Sequence, residues 1–215
     1  MKLYSYDESG NSYKVRLLCA LLGVTYEKID IDLMRDEQHQ PAYLAVNPHG
    51  EVPTLEDGAV RLRDSAAILV YIAALHGEGR WWPVDAAGQA EIVEWLAFAA
   101  SWIQFGVFTA RAIRAFGISG NGLPHDYRED PTPARIRGVR SLEILDAHLA
   151  SRDWLACGRA TVADIATFPY VALAPMGDIA LTPFPAVRGW IDRIRALPGF
   201  IPIAGLDDPH YRDSH

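Results

Sequence analysis

The chain has 215 residues, half of them apolar, and a formal net charge of −7 from 20 basic and 27 acidic side chains, which is enough material for one large domain or two small ones with a sizeable core. The acidic balance, with no dense Lys/Arg block, argues against nucleic acid or an anionic membrane as partner and leaves a small molecule as the expected one. No run reaches the roughly 18 consecutive apolar residues of a membrane span, the opening MKLYSYDESG lacks the order of a secretory signal, and the two cysteines, Cys19 and Cys157, are too few for a disulfide framework, so a cytoplasmic protein with reduced thiols is expected.

From residue 1 to about 79 strand and helix alternate. KLYSY (2–6) predicts a strand, and Val15, Leu18, Cys19 and Leu22 recur at the spacing of one helical face, with Gly23 as the stop. Between them lies the hydroxyl- and amide-rich turn Ser9-Gly10-Asn11-Ser12, whose serines are candidate helix caps. YEKIDIDL (26–33) alternates, with Ile29, Ile31 and Leu33 on one face, which completes a βαβ unit with a right-handed crossover. After a loop at 34–51, VPTL (52–55) and AVRL (59–62) predict a hairpin turned at Glu56-Asp57-Gly58. Asp64-Ser65 then opens a helix with Ile68, Ile72 and Leu75 inward and Gly77 at its end. The order β-α-β then β-β-α is thioredoxin-like.

GRWWPVDAAGQ (79–89) carries the Gly and Pro of a linker, and strand signals are sparse beyond it. The expected division is a thioredoxin-like domain at 1–79, a linker at 80–89 and an all-helical domain at 90–215. Within the last, 90–116 reads as one long helix or a bent pair, and 133–151, 162–177 and 186–197 read as further helices. The polar, Pro/Gly-rich stretch 117–133 reads as an exposed loop. Thr161-Val162-Ala163-Asp164 fits a capping box, a structural and not a catalytic feature. The seven histidines lack metal-ligand spacing, and His210 and His215 fall in a polar tail.

Four segments taken in order resemble the cytosolic glutathione transferases: SGNSYKVRLL (9–18), NPHGEVPTLEDG (47–58), LRDSAAILVYI (62–72) and TVADIATFPY (161–170). The resemblance spans nearly the whole chain and implies a two-domain fold, glutathione as co-substrate and a homodimer with the third helix of one subunit on the helical domain of the other. The residues themselves agree with thiol chemistry. Where a thioredoxin-like fold would carry a Cys-x-x-Cys pair, this chain has hydroxyls and an amide, which cannot exchange disulfides but can stabilise another molecule's thiolate. A hydroxyl donor and the positive end of a helix together are able to lower a thiol from about 8.5 to roughly 6.5, a difference of about 2.7 kcal/mol.

By this resemblance Ser9 is the catalytic serine and Asn11 a second donor to the sulfur; the alternative for Ser9 is simple capping. Val52-Pro53 resembles the family's cis-proline, which would leave Val52 to pair with the cysteinyl backbone. Asp64 and Ser65, at a helix start, would hold the zwitterionic γ-glutamyl end, while also serving as caps. Glu51 departs from the Lys, Arg or Gln that usually precedes Val-Pro, and Gln38 and His39 stand where relatives contact the glycyl carboxylate. In the first helix of the second domain, Trp95, Phe98, Trp102 and Phe105 form an aromatic stripe; Trp102, Phe105, Phe108 and Arg111 are the candidate pocket for a small hydrophobic electrophile, with Arg111 or Arg114 as an anion handle. The expected activity is conjugation for detoxification. Alternatives are a glutathione-dependent isomerase, whose branch typically has Ser-Ser-Cys at 9–11, a disulfide reductase, or a non-catalytic binding or assembly protein of the same fold.

Overall fold

A computed structural model of the chain describes residues 1–118 and 130–213. Most of the loop expected at 117–133, and His215, lie outside the described residues.

The N-terminal unit is a four-stranded sheet in the order β2-β1-β3-β4, with β1 at Lys2–Ser5, β2 at Glu27–Asp30, β3 at Thr54–Asp57 and β4 at Val60–Leu62. β1 runs parallel to β2 and antiparallel to β3, with Tyr4 opposite both Ile29 and Thr54. Leu3 and Leu55 turn inward to the main core, while Tyr4 belongs to a small cluster with Ile31, Tyr43 and Val52, fixed there by the period-2 alternation of strands. Three details differ from the sequence expectation. Leu33 leaves the strand face, because the Asp32 side chain accepts from Met34 N–H at 2.9 Å and starts a 3₁₀ turn. Glu56 and Asp57 are strand residues, and the hairpin turns at Gly58-Ala59, with Gly58 at φ 58°. Leu75 is 54% exposed, since Leu69 and Ala73 share the inner face with Ile68 and Ile72 instead.

Helix α1 (Gly10–Leu22) ends on Gly23 at φ 66°, whose N–H bonds back to Ala20. It is not one-faced: its residues from Ser12 through Cys19 are all buried, because the helix runs between α3 (Ser65–His76) and α7 (Val162–Ala172). Burial pushes the Cys19 thiol up to about 12, which makes it an inert core group. The short α2 (Pro41–Leu44) seats Tyr43 in the small cluster.

The second unit is helical. α4 (Ala86–Phe98) continues without a break through a π-helical stretch, Ala99–Phe108, into α5 (Thr109–Phe116). By length and mean hydropathy alone this 31-residue run is long and apolar enough to cross a membrane; here it packs on α6 (Thr132–Leu149) and α7. A Cβ on Gly106 would lie 2.8 Å from Gly138 N, so the π stretch and α6 cross backbone against backbone. Every residue of α7 is buried, and Trp190 of α8 (Pro185–Arg195) closes the core beside it. The capping box forms: Asp164 accepts from Thr161 N–H at 2.9 Å, and Thr161 Oγ1 accepts from Ala163 N–H at 3.3 Å.

Candidate active site

The 6–12 turn connects β1 to α1 and is tied down on all sides. Ser9 is the helix cap, with φ −71° and ψ 117°, and its Oγ accepts from Ser12 N–H at 3.2 Å. Ser12 is inside the first turn and does not cap; its Oγ accepts from Tyr6 N–H at 3.4 Å. Buried Arg16 reaches under the turn, donating to Ser5 Oγ (2.7 Å) and to the carbonyls of Tyr6 (3.0 Å) and Asp7 (2.7 Å). Glu8 is held from the other side. Its carbonyl accepts from Arg111 Nη2 at 3.3 Å, and its carboxylate takes Arg212 at 2.9 and 3.0 Å, Tyr6 Oη at 3.2 Å and Tyr211 Oη. Burial works to raise the Glu8 carboxyl, but these donors outweigh it and hold it below the usual carboxylate range.

The first turn of α1 meets α7. Gly10 presses on the ring of Tyr170, where a Cβ would fall 2.4 Å from Cε1, and Asn11 N–H donates to the Tyr170 hydroxyl at 3.1 Å. Lys14, one turn on and 5% exposed, donates from Nζ to Asn11 Oδ1 at 2.8 Å and lies 5.1 Å from the centre of the Tyr170 ring. Burial pushes Lys14 down to about 8 against the opposing pull of Asp64. Ser9 keeps its hydroxyl proton, since a hydroxyl that accepts a capping bond still has one donor to give. The Asn11 Nδ2 group has no partner among the described residues.

The Val52–Pro53 bond is cis. Val52 N–H and C=O have no protein partner among the described residues, whereas the Glu51 carbonyl accepts from both Tyr43 Oη (2.6 Å) and Asn47 Nδ2 (2.7 Å). At the start of α3, Asp64 Oδ1 caps Ala66 N–H (2.8 Å) and Ala67 N–H (3.1 Å), leaving Oδ2 uncommitted, and the buried Ser65 hydroxyl makes no bond to described residues. Gln38 is buried, with Nε2 on Asp36 Oδ1 at 3.1 Å and Oε1 unpartnered. Exposed His39 bonds the same Asp36 oxygen at 2.6 Å, and its ring abuts Gly50, next to the exposed Glu51.

The aromatic stripe divides. Trp95 is buried against Phe98 (5.2 Å between ring centres), and Phe98 stacks on Trp102 at 6.3 Å, with Arg137 over the Trp102 ring at 4.5 Å. Phe105 is 50% exposed, because π winding rotates the later residues away from the α-helical stripe. Phe108 packs on Tyr170 at 4.8 Å. Arg111 is 3% exposed and committed to Glu8, Met176 Sδ (3.2 Å) and the Phe116 ring, while exposed Arg114 pairs with Asp178 and Asp213. Arg111 therefore braces the turn. No group of three His, Cys, Asp or Glu side chains gathers for a metal among the described residues.

The sequence reading did not single out Arg16, Lys14 or Tyr170. The one signal available was Lys14 and Arg16 standing inside an otherwise apolar helix, a conflict with the core pattern that marks a functional or strained site.

Chemically, the start of α1 keeps spare donors at Ser9 and Asn11, the start of α3 keeps a free carboxylate oxygen at Asp64, and the Val52 backbone is unpaired among the described residues. Unpaired backbone can pair with an extended peptide, a helix start can take an anion, and a free carboxylate oxygen can take a cation.

The family models for the glutathione S-transferase N-terminal domain and C-terminal domain match residues 3–80 and 126–198. A maleylacetoacetate isomerase of Pseudomonas aeruginosa is 29% identical over 93% of both chains. Among solved structures, a possible glutathione S-transferase from Rhodopseudomonas palustris is 36% identical, with 94% of this chain and 96% of that one covered and a TM-score of 0.81. A glutathione transferase family member from Pseudomonas fluorescens, solved with two glutathione bound, is 27% identical over 92% of this chain and 89% of that one, with a TM-score of 0.77.

Proposed function

Since the chain belongs to the glutathione S-transferase family, we propose that it holds glutathione along the Val52 backbone and adds the thiolate to a small hydrophobic electrophile. The single observation that carries this reading is the double use of Ser9: its oxygen caps α1 while its proton stays free to donate. Donated to the bound sulfur, together with Asn11 Nδ2 and the positive end of α1, that proton stabilises the thiolate. The thiol proton goes to solvent, a sulfur–carbon bond forms, and the electron pair displaced at carbon passes to the leaving group or the adjacent unsaturation.

The γ-glutamyl end is assigned to α3, with its carboxylate on the Ser65 hydroxyl and its ammonium on Asp64 Oδ2. Gln38 and His39 are assigned to the glycyl end, with the Glu51 side chain turned to water. Trp102, Phe105 and Phe108 are the proposed electrophile wall, and Arg111 acts there through the turn it braces. Exposed Leu75 on α3 and Val93 on α4 favour a second copy of the chain as partner, in a symmetric dimer.

Calorimetric titration with reduced glutathione, paired with ultraviolet detection of bound thiolate, tests the reading in wild type and Ser9→Ala. Binding with a lowered thiol pKa that Ser9→Ala raises supports it; a folded protein that binds no glutathione overturns it. The isomerase reading is favoured by the Pseudomonas aeruginosa relative. In that chemistry the same thiolate adds and then leaves, so turnover of a maleylacetoacetate-type substrate without net loss of thiol distinguishes it from conjugation.

A further inference from the structure

Lys14 breaks two local rules at once. It is an ammonium 5% exposed, and it belongs to the N-terminal part of α1, where side chains lean back toward the positive end of the helix. No carboxylate lies within ion-pair distance of it among the described residues; its neighbours are Asn11 Oδ1 at 2.8 Å and the Tyr170 ring. Such a group costs stability that a Leu or Met of similar volume would not. The charged and titratable groups around it are Asp64 from the cap of α3 and Tyr170 from α7, whose own hydroxyl burial keeps protonated. Arg111 and Glu51 act on Tyr170 from further out.

Resting on the glutathione reading, we propose that Lys14 is a positioning residue for the bound thiolate: it holds the Asn11 amide by Oδ1, which leaves Nδ2 to donate to the sulfur, and it supplies behind that donor a positive charge that no carboxylate among the described residues pairs directly. An amide has one acceptor and one donor end. With the backbone N–H of Asn11 fixed to Tyr170 and its Oδ1 fixed to Lys14, its donor end is the part left over. The anion that Lys14 lacks in the protein alone is then the thiolate itself, so the cost of burying the ammonium is offset when ligand binds.

The test compares wild type with Lys14→Met, Lys14→Gln and Lys14→Arg. Two readouts are taken: the thiol pKa of bound reduced glutathione by ultraviolet titration, and the affinity for S-methylglutathione, which has no thiol to ionise. Lys14→Met should leave about tenfold less thiolate at neutral pH while S-methylglutathione affinity stays within about threefold. Lys14→Gln, which keeps a donor to Asn11 without charge, should fall between, and Lys14→Arg should restore most of the effect. In an Asn11→Ala background, Lys14→Met should change the thiol pKa by much less, because part of its action passes through that amide. If Lys14→Met fails to fold, Lys14→Gln and Lys14→Arg still carry the comparison. A lowered thiol pKa that is the same in wild type, Lys14→Met and Lys14→Gln overturns the assignment and leaves the glutathione reading standing. Failure of wild type to bind S-methylglutathione overturns both.

Discussion

The backbone N–H of Asn11, in the first turn of α1, donates to the hydroxyl of Tyr170, in the last turn of α7, at 3.1 Å. The two residues belong to different domains and are 159 positions apart. The bond satisfies one of the donors that a helix N-terminus leaves open and ties the first turn of α1 to α7. Tyr170→Phe keeps the ring and removes only this acceptor. The expected loss is about 1–2 kcal/mol in urea unfolding, and an unchanged midpoint would show that water replaces the hydroxyl without cost.

Gly10 is required by the same contact for a different reason. A methyl group there would overlap the Tyr170 ring, which is fully buried and has no room to withdraw. Gly10→Ala is expected to cost about 1–3 kcal/mol as overpacking. Tyr170→Phe should not relieve it, because the ring is retained, whereas Tyr170→Leu should. Equal costs in the three backgrounds would place the strain elsewhere.

Asp164 does more than a capping box requires. Beyond Thr161 N–H it accepts from Thr161 Oγ1 (3.2 Å), Leu155 N–H (3.0 Å) and Trp190 Nε1 (2.9 Å). Thr161→Ala should therefore cost about 1 kcal/mol, the usual value of a cap. Asp164→Ala, which strands several buried donors, should cost about 3–5 kcal/mol. Similar losses in the two variants would count against the larger network.

The pH dependence of that carboxyl has a definite sign. Burial raises Asp164 from 3.8 to about 6 against the pull of its donors, so the folded chain binds its proton more tightly than the unfolded one. Its contribution to stability is then fully present below about pH 4 and is lost as pH rises through 6. Wild type should gain on Asp164→Asn by about 2 kcal/mol between pH 6 and 4. The opposite slope would mean that the four donors outweigh burial.

Glu51 supplies the last prediction. Its side chain is exposed, next to the proposed glycyl end, with no cation paired to it in the described structure. Glu51→Lys should tighten reduced glutathione about three- to tenfold, and the gain should shrink in high salt, as screening of an exposed pair demands. Unchanged affinity would remove residue 51 from the site.

Local rules made much of this legible in the chain alone. Helix α1 and its Gly23 stop, the βαβ-ββα order, the start of α3 at Asp64-Ser65, and the Thr161-Asp164 box each depend on residues within a few positions of one another. Spacing, capping chemistry and turn residues record such relations directly. The donors and bonds at Ser9 and Asp64 fall into the same class, since a side chain capping its own helix needs no distant partner. What tertiary packing decided is of another kind. Which serine caps α1 depended on Ser12 being drawn to Tyr6, and the exposure of Leu75 on which face of α3 met α1. Arg111 was turned from surface to brace by Glu8, 103 residues away, and Lys14 acquired its place from Tyr170 and Asp64. A periodic pattern specifies which side of an element is apolar; it carries no information about which distant group will stand opposite, and the energy of a buried charge is set by that group.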